Sequence, residues 1–203
     1  MLSSSNQYQR IVLLGMVAHV RGQGAAYDAR RTAILDAVFA LVDTEGVAQV
    51  TIRRVADRAG VSVGRVQHYF KTKDELLEAA SSAINDRGAE RVAEHAAGTP
   101  GDTLRAILRV LIPRDEEDRR LFRVQQAFET YALTTPALGA RVTQGYTELS
   151  ALFALLLGGP DRTADGQELL ATAVGLATLT LTDVITPAEA EVIVLRRVDQ
   201  LLA

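Results

Sequence analysis

Within five residues the chain places Arg65, Gln67, His68 and Tyr69. These side chains bind nucleobases well: Arg makes a bidentate pair with guanine O6 and N7, and Gln with adenine N6 and N7. Of their close neighbours only Val66 and Phe70 are apolar enough to bury, so the segment shows several polar groups to its surroundings. Gly64 precedes them and lets the backbone come close to a phosphate. Six basic residues, Arg53, Arg54, Arg58, Arg65, Lys71 and Lys73, fall between Val47 and Lys73 against one acid, Asp57, while the 203-residue chain carries net charge −3. A basic patch on a mildly acidic protein is the electrostatic footprint of phosphate binding on one face. The bland alternative is a solvated helical surface whose basic residues fall there by chance.

Other chemistries have little to stand on. The histidines are His19, His68 and His95, and no pair of them has the spacing of a helix-borne metal site. The chain has no cysteine, which excludes disulfides and thiolate metal sites and fits a reducing compartment. No Gly-rich phosphate loop or nucleophile elbow occurs, so no catalytic residue, metal or cofactor is expected. The enzyme alternative is a helical hydrolase or lyase using Glu129 with His95, which requires the two side chains within hydrogen-bond reach.

The elements that must hold Arg65 to Tyr69 in place can be read from Thr51 to Leu77. Ile52, Val55 and Ala56 recur at helical spacing, Ala59-Gly60-Val61-Ser62 interrupts them, and Ser62 caps a second short helix. Two short helices meeting at a Gly-containing turn make a helix-turn-helix. Thr51, Val55-Ala56, Ala59-Gly60-Val61-Ser62, Gly64, Tyr69-Phe70 and Lys73 together resemble the DNA-binding domain of the TetR family of one-component transcriptional regulators. The likeness is specific over about fifty residues from Asp28 and traceable, more weakly, to the C-terminus. It departs at Gln67, where the family most often has Tyr, a change read as altering which base is recognised. The resemblance implies DNA contacts from Thr51, Arg53, Ser62, Val63, Gly64, Arg65, Gln67, His68, Tyr69 and Lys73.

Around this motif the chain reads as helices. Residues 1–27 form a variable extension: Ser3 to Gln7 reads as disordered, and Ile11 to Val20 is an apolar run too short to span a bilayer, followed by a DNA-binding motif that makes export improbable. Met16 is an alternative start. Asp28 is expected to cap a first helix ending near Glu45 at Gly46, with Arg30 and Arg31 near the DNA backbone or merely solvated. Thr72 to Glu75 reads as a capping box opening a long helix to about His95, the one obvious mechanical link to the rest. Gly98 to Gly101 reads as a break, with a helix from Asp102 or Thr103 to about Ile112. Asp115 to Asp118 places negative charge in the first turn of the next helix, which the dipole favours; a metal site would need oxygen ligands converging in space.

Phe122, Gln125, Gln126, Glu129, Tyr146 and Phe153 lie on the two following helices and mix aromatics with amides and one carboxylate, as small-molecule sites do. Each on its own reads equally well as ordinary core or surface, and Phe128 and Tyr131 could face the same pocket or a partner subunit. Leu169 to Ile185 is apolar on nearly every face, which asks for burial all round, and Thr186-Pro187-Ala188-Glu189 opens a last amphipathic helix. Val174, Ala177, Leu181, Val194, Leu195 and Val198 are therefore candidates for the seam of an isologous dimer, an arrangement the resemblance also implies; an intramolecular core is the alternative.

The expected fold is all-α with about nine helices: a variable extension at 1–27, a three-helix DNA-binding domain at 28–75, and an effector-binding and dimerisation domain at 76–203. By resemblance the chain is a cytoplasmic homodimeric repressor, away from the membrane, that leaves a double-stranded, pseudo-palindromic operator when a small-molecule effector binds. A dimer controlled by a partner protein, or by no ligand, is the other regulator reading.

Overall fold

The computed structural model describes residues 25–95 and 98–203. The readings placed on residues 1–24, including Ser3 to Gln7, Met16 and His19, lie outside the described residues, as does the His95 side chain and with it the pairing with Glu129. Among the described residues the protein is all-helical, with nine α-helices and no strand. In chain order they are α1 (Ala25–Glu45), α2 (Ile52–Ala59), α3 (Val63–Tyr69), α4 (Lys73–His95), α5 (Pro100–Val110), α6 (Glu116–Ala132), α7 (Pro136–Leu156), α8 (Thr163–Leu181) and α9 (Pro187–Leu202). These form two compact units, residues 25–85 with 120–143, and residues 86–119 with 144–203. The units cut across a linear division at residue 75, because residues 120–143 cluster with the helix-turn-helix.

In the first unit α1 begins at Ala25, which puts Asp28 inside the first turn and not at the cap. An acid there still complements the helix dipole. Gly46 takes a φ of +84° and its amide donates to the Val42 carbonyl at 3.0 Å, closing the helix in a conformation that strains any side chain. Thr51 caps α2 by accepting the Arg54 amide at 3.2 Å. Gly60, at φ +66°, ends α2: its amide reaches the Asp57 carbonyl and the Val61 amide reaches the Ala56 carbonyl at 3.0 Å. Ser62 then accepts the Arg65 amide at 3.2 Å and opens α3. Turn and caps fix where α3 starts.

Packing fixes its tilt. Ile34, Leu35, Val38, Phe39, Leu41 and Val42 of α1 form one core with Val55 and Ala56 of α2, Val66 of α3, Phe70, Leu76, Leu77 and Ala80, and with Val124, Phe128 and Ala132 of α6 and Leu138 of α7. Each such Leu, Ile, Val or Phe contributes about 1.5–3 kcal/mol by leaving water. Phe128 is therefore core. Asp43 on α1 accepts from Arg123 at 2.9 Å and pairs with Arg120 at 3.5 Å, which ties α6 to α1 at the surface.

In the second unit α5 begins at Pro100, earlier than the expected Asp102 or Thr103. Thr99 is the cap, Pro100 sits in the first turn, and Asp102 closes a capping box. What reads as a break in sequence is the start signal of the helix, since a proline in the first turn removes an amide that would lack a partner anyway. The expected capping box of α9 forms between Thr186 and Glu189. At α4 the Thr72 hydroxyl accepts the Glu75 amide at 3.1 Å, but the Glu75 carboxylate reaches one residue further back, to the Lys71 amide at 2.6 Å.

Asp118 is buried; it accepts the Arg114 amide at 3.0 Å and pairs with Arg91, whose guanidinium is held above its ordinary pKa first by that hydrogen bond. The acidic run is thus a helix start. Arg119 donates to the Thr180 and Leu181 carbonyls at 3.0 Å each and so covers the open end of α8. A Cβ on Gly166 would lie 2.9 Å from the Ala154 amide nitrogen, so glycine lets α7 and α8 cross closely.

Candidate nucleic-acid interface

α3 is seven residues long and buries one side chain fully, Val66. Val63, Gly64, Arg65, Gln67 and His68 are exposed, and Tyr69 is half-buried. Beside them Thr51, Arg53, Arg58, Ser62 and Lys71 are exposed as well. Among the described residues the side chains of Arg53, Arg58, Arg65 and Lys71 make no ion pair or hydrogen bond with protein. Uncompensated cations on one short helix and its flanks are suited to phosphate, because counterion release favours each such contact. The Thr51 and Ser62 oxygens are occupied by their own helix amides, which leaves each hydroxyl hydrogen to donate outward.

Two of the six basic residues of the patch have other partners. The Arg54 guanidinium pairs with Glu45 and reaches the Gln49 carbonyl at 3.4 Å, so it ties α2 back to the end of α1. Lys73 is half-buried: its Nζ donates to the Ala48 carbonyl at 3.4 Å and lies 5.8 Å from the Tyr131 ring centre. Of the arginine pair on α1, Arg30 is exposed, whereas the Arg31 guanidinium sits 5.6 Å from the Phe70 ring.

Sequence reading missed Tyr27. Its ring centre lies 4.5 Å from that of Tyr69 and 6.4 Å from His68, and His68 meets Tyr69 edge-on at 5.4 Å. Tyr27 and Arg31 are four residues apart on α1 and grip the C-terminal end of α3 together. The helical spacing of an aromatic and a cation was the available signal.

The six candidate ligand residues fall in both units. Phe122, Gln125, Gln126 and Glu129 are half-buried on α6 in the first, with the Gln125 amide donating to Glu129 at 2.9 Å. Tyr146 and Phe153 belong to the second, where Phe153 is fully buried in a core with Leu104, Leu108, Leu156, Leu169 and Val194. Phe153 is thus a packing residue. Of the candidate seam, Ala177, Val194 and Val198 are buried within their own unit; Leu181 and Leu195 are half-buried and Val174 is exposed. Nor is α8 buried all round, since Leu179 beside Val174 is also exposed, as are Val192 and Ile193 on α9. Among the described residues there is no cluster of metal-binding side chains and no helix long and apolar enough to cross a membrane.

Residues 34–80, which contain α2 and α3, match the family model for bacterial regulatory proteins of the tetR family, and residues 100–203 match that for the C-terminal domain of BetI-type transcriptional repressors. The chain belongs to the TetR family of transcriptional regulators. Relatives include the HTH-type transcriptional regulator PksA of Bacillus subtilis, 32% identical over 52% of this chain and 53% of its own length. An uncharacterised HTH-type regulator in the dhlA 5' region of Xanthobacter autotrophicus is 31% identical over 75% of this chain and 76% of its own. The crystal structure of a transcriptional regulator from Rhodococcus sp. Rha1 superposes with a TM-score of 0.74 at 30% identity, covering 85% of this chain and 95% of that one. A TetR-family regulator binds DNA through its helix-turn-helix, and α2 and α3 are that motif here.

Proposed function

We propose that this TetR-family protein is a cytoplasmic homodimeric repressor that holds a pseudo-palindromic operator and releases it when a small molecule binds. The observation that carries the reading is the recognition face of α3, with Arg65 and Gln67 exposed beside cations that have no partner among the described residues. The repressor sense is supported by the BetI-type repressor model that matches the C-terminal half. Dimerisation is supported by the exposed apolar side chains of Val174 and Leu179 on α8 and of Val192 and Ile193 on α9, with Leu181 and Leu195 at their margins. Two copies of one face give an isologous contact, and two recognition helices about 34–36 Å apart then meet successive major grooves.

The effector site proposed is the half-buried row of α6, Phe122, Gln125, Gln126 and Glu129. An aromatic face, two amides and one carboxylate suit a small cationic or hydroxyl-bearing molecule. α6 also shares a core with α2 and α3 through Val124 and Phe128, and α4 starts beside Phe70, so displacement of either helix can tilt α3. One observation favours the rival regulator, controlled by a partner protein or by no ligand: Phe153, a candidate for the pocket, fills a core.

The test is selection of bound sequences from random DNA by the full chain, followed by a screen of small molecules for operator release. An inverted repeat bound by two copies, and an effector that lowers operator affinity by the same factor by which operator lowers effector affinity, are expected. A single unrepeated site bound by a monomer would overturn the dimer. An effector whose binding is unchanged by substitution of Phe122 and Glu129 would overturn the site.

A further inference from the structure

We propose that Val63 reads the 5-methyl group of one thymine in each operator half-site, with Gly64 letting the first turn of α3 come close enough for that contact. This rests on the DNA-binding reading above and adds the identity of a base. Single exposed apolar residues are common and need no explanation alone. Val63 differs in its setting. It is 40% exposed at the first position of the recognition helix, on a segment whose other exposed side chains, those of Arg65, Gln67 and His68, are all polar. A β-branched side chain there gains little from the helix, since valine ranks below most straight-chain residues in helix propensity.

Gly64 supplies the second observation. Its backbone is not in the left-handed region, and a Cβ built on it would meet nothing within 4 Å. Among the described residues no contact requires glycine at that position, as is also true of Gly88 and Gly175. Gly64 differs from those two in lying on the exposed recognition helix, where the open space is available to a nucleobase or phosphate. N-terminal residues of a recognition helix are the ones that meet base edges in the major groove. The one apolar group on the edges of the base pairs in that groove is the thymine methyl, and an aliphatic side chain is its usual partner. Val63 offers two methyl groups, Gly64 removes the atom that would hold the turn away, and Arg65 follows with a donor for guanine.

The experiment begins with an operator selected from random DNA by the full-length protein. Each thymine of the half-site is replaced by deoxyuridine, which deletes the methyl group and leaves every hydrogen-bonding atom, and the dissociation constant is measured for the unaltered protein, Val63→Ser and Gly64→Ala. One thymine per half-site should lose about fourfold on methyl removal with the unaltered protein, the worth of one buried methyl, and about fifteenfold when both half-sites are changed. Val63→Ser should bind the thymine and deoxyuridine operators alike. Gly64→Ala should raise the unfolding temperature of the free protein while weakening operator binding, two opposite shifts that a merely structural glycine would not give. Absence of any methyl-sensitive thymine, or full methyl sensitivity retained by Val63→Ser, would overturn the assignment. Unchanged operator affinity in Gly64→Ala would overturn the close approach. If the full chain enriches no sequence at all, the DNA-binding reading itself fails, a result distinct from the enrichment of an operator without a methyl-sensitive position.

Discussion

The second unit and the helix-turn-helix use arginine in different ways. In residues 86–119 and 144–203 five guanidinium groups are joined to the protein: Arg105 to Asp199 at 2.6 Å, Arg109 and Arg114 to Glu191 at 2.8 and 2.9 Å, Arg197 to Glu168 at 2.7 Å, and Arg119 to the end of α8. They fasten α5 and α8 to α9. In residues 25–85 the exposed Arg53, Arg58 and Arg65 have no such partner among the described residues, and neither does Lys71. Exposed pairs contribute little to stability, a few tenths to about 1 kcal/mol each, so the difference lies less in folding energy than in what remains available for a ligand. A cation already joined to a carboxylate must lose that partner before it can meet a phosphate. Arg54 and Lys73 show that the distinction operates within the motif too, since one pairs with Glu45 and the other is engaged by Ala48 and Tyr131.

The contrast can be broken most severely in the second core. Phe153→Ala removes a fully buried ring and is expected to cost about 3–5 kcal/mol of stability by chemical denaturation, whereas Phe122→Ala on the half-buried row of α6 should cost much less. Equal losses would remove the distinction drawn between packing and pocket residues. Arg65→Ala comes next: operator affinity should fall by about 1–3 kcal/mol at one base position per half-site, with the denaturation midpoint unchanged. A matching loss on random DNA would make Arg65 a phosphate contact. Lys71→Ala should weaken specific and random DNA alike and reduce the slope of log affinity against log salt by about 0.9 per contact. Lys73→Ala, with its ammonium turned toward Ala48 and Tyr131, should change that slope less and stability more; the reverse ranking would show that Lys73 leaves its partners on DNA.

The smallest effect concerns acid. Backbone hydrogen bonds from Thr99 and Thr186, and then the hydroxyls of the same residues, hold the Asp102 and Glu189 carboxyls below their ordinary values. The folded protein therefore binds fewer protons than the unfolded chain in that range. Their contribution is complete above the ordinary carboxylate range, about pH 4–5, and is lost as pH falls through the lowered folded values. The double variant Asp102→Asn, Glu189→Gln should show a flatter fall of the urea midpoint below pH 5, with little change in its shape above it. A parallel curve would mean that the two capping boxes do not respond to acid.

Sequence alone determined the helix-turn-helix, because its signals are local. Thr51 and Ser62 bond to amides three residues on, and Gly60 takes a backbone conformation that other residues avoid. The same holds for the capping box of Thr186 and Glu189, and it could have held for Thr99-Pro100, where a proline and two glycines masked a helix start. The tertiary structure decided what depends on partners far along the chain. Arg54 and Arg53 are adjacent and chemically identical, and only the position of Glu45 makes one a clasp and leaves the other open. Phe153 and Phe122 carry the same ring, and only the packing of α5, α8 and α9 buries the first. Val194 and Val192 sit two residues apart on one helix, one inside and one 64% exposed, because a helix turns about 100° per residue and the direction of its core is set by its neighbours. A residue's chemistry is written in its identity, but its availability depends on which groups the fold brings within reach.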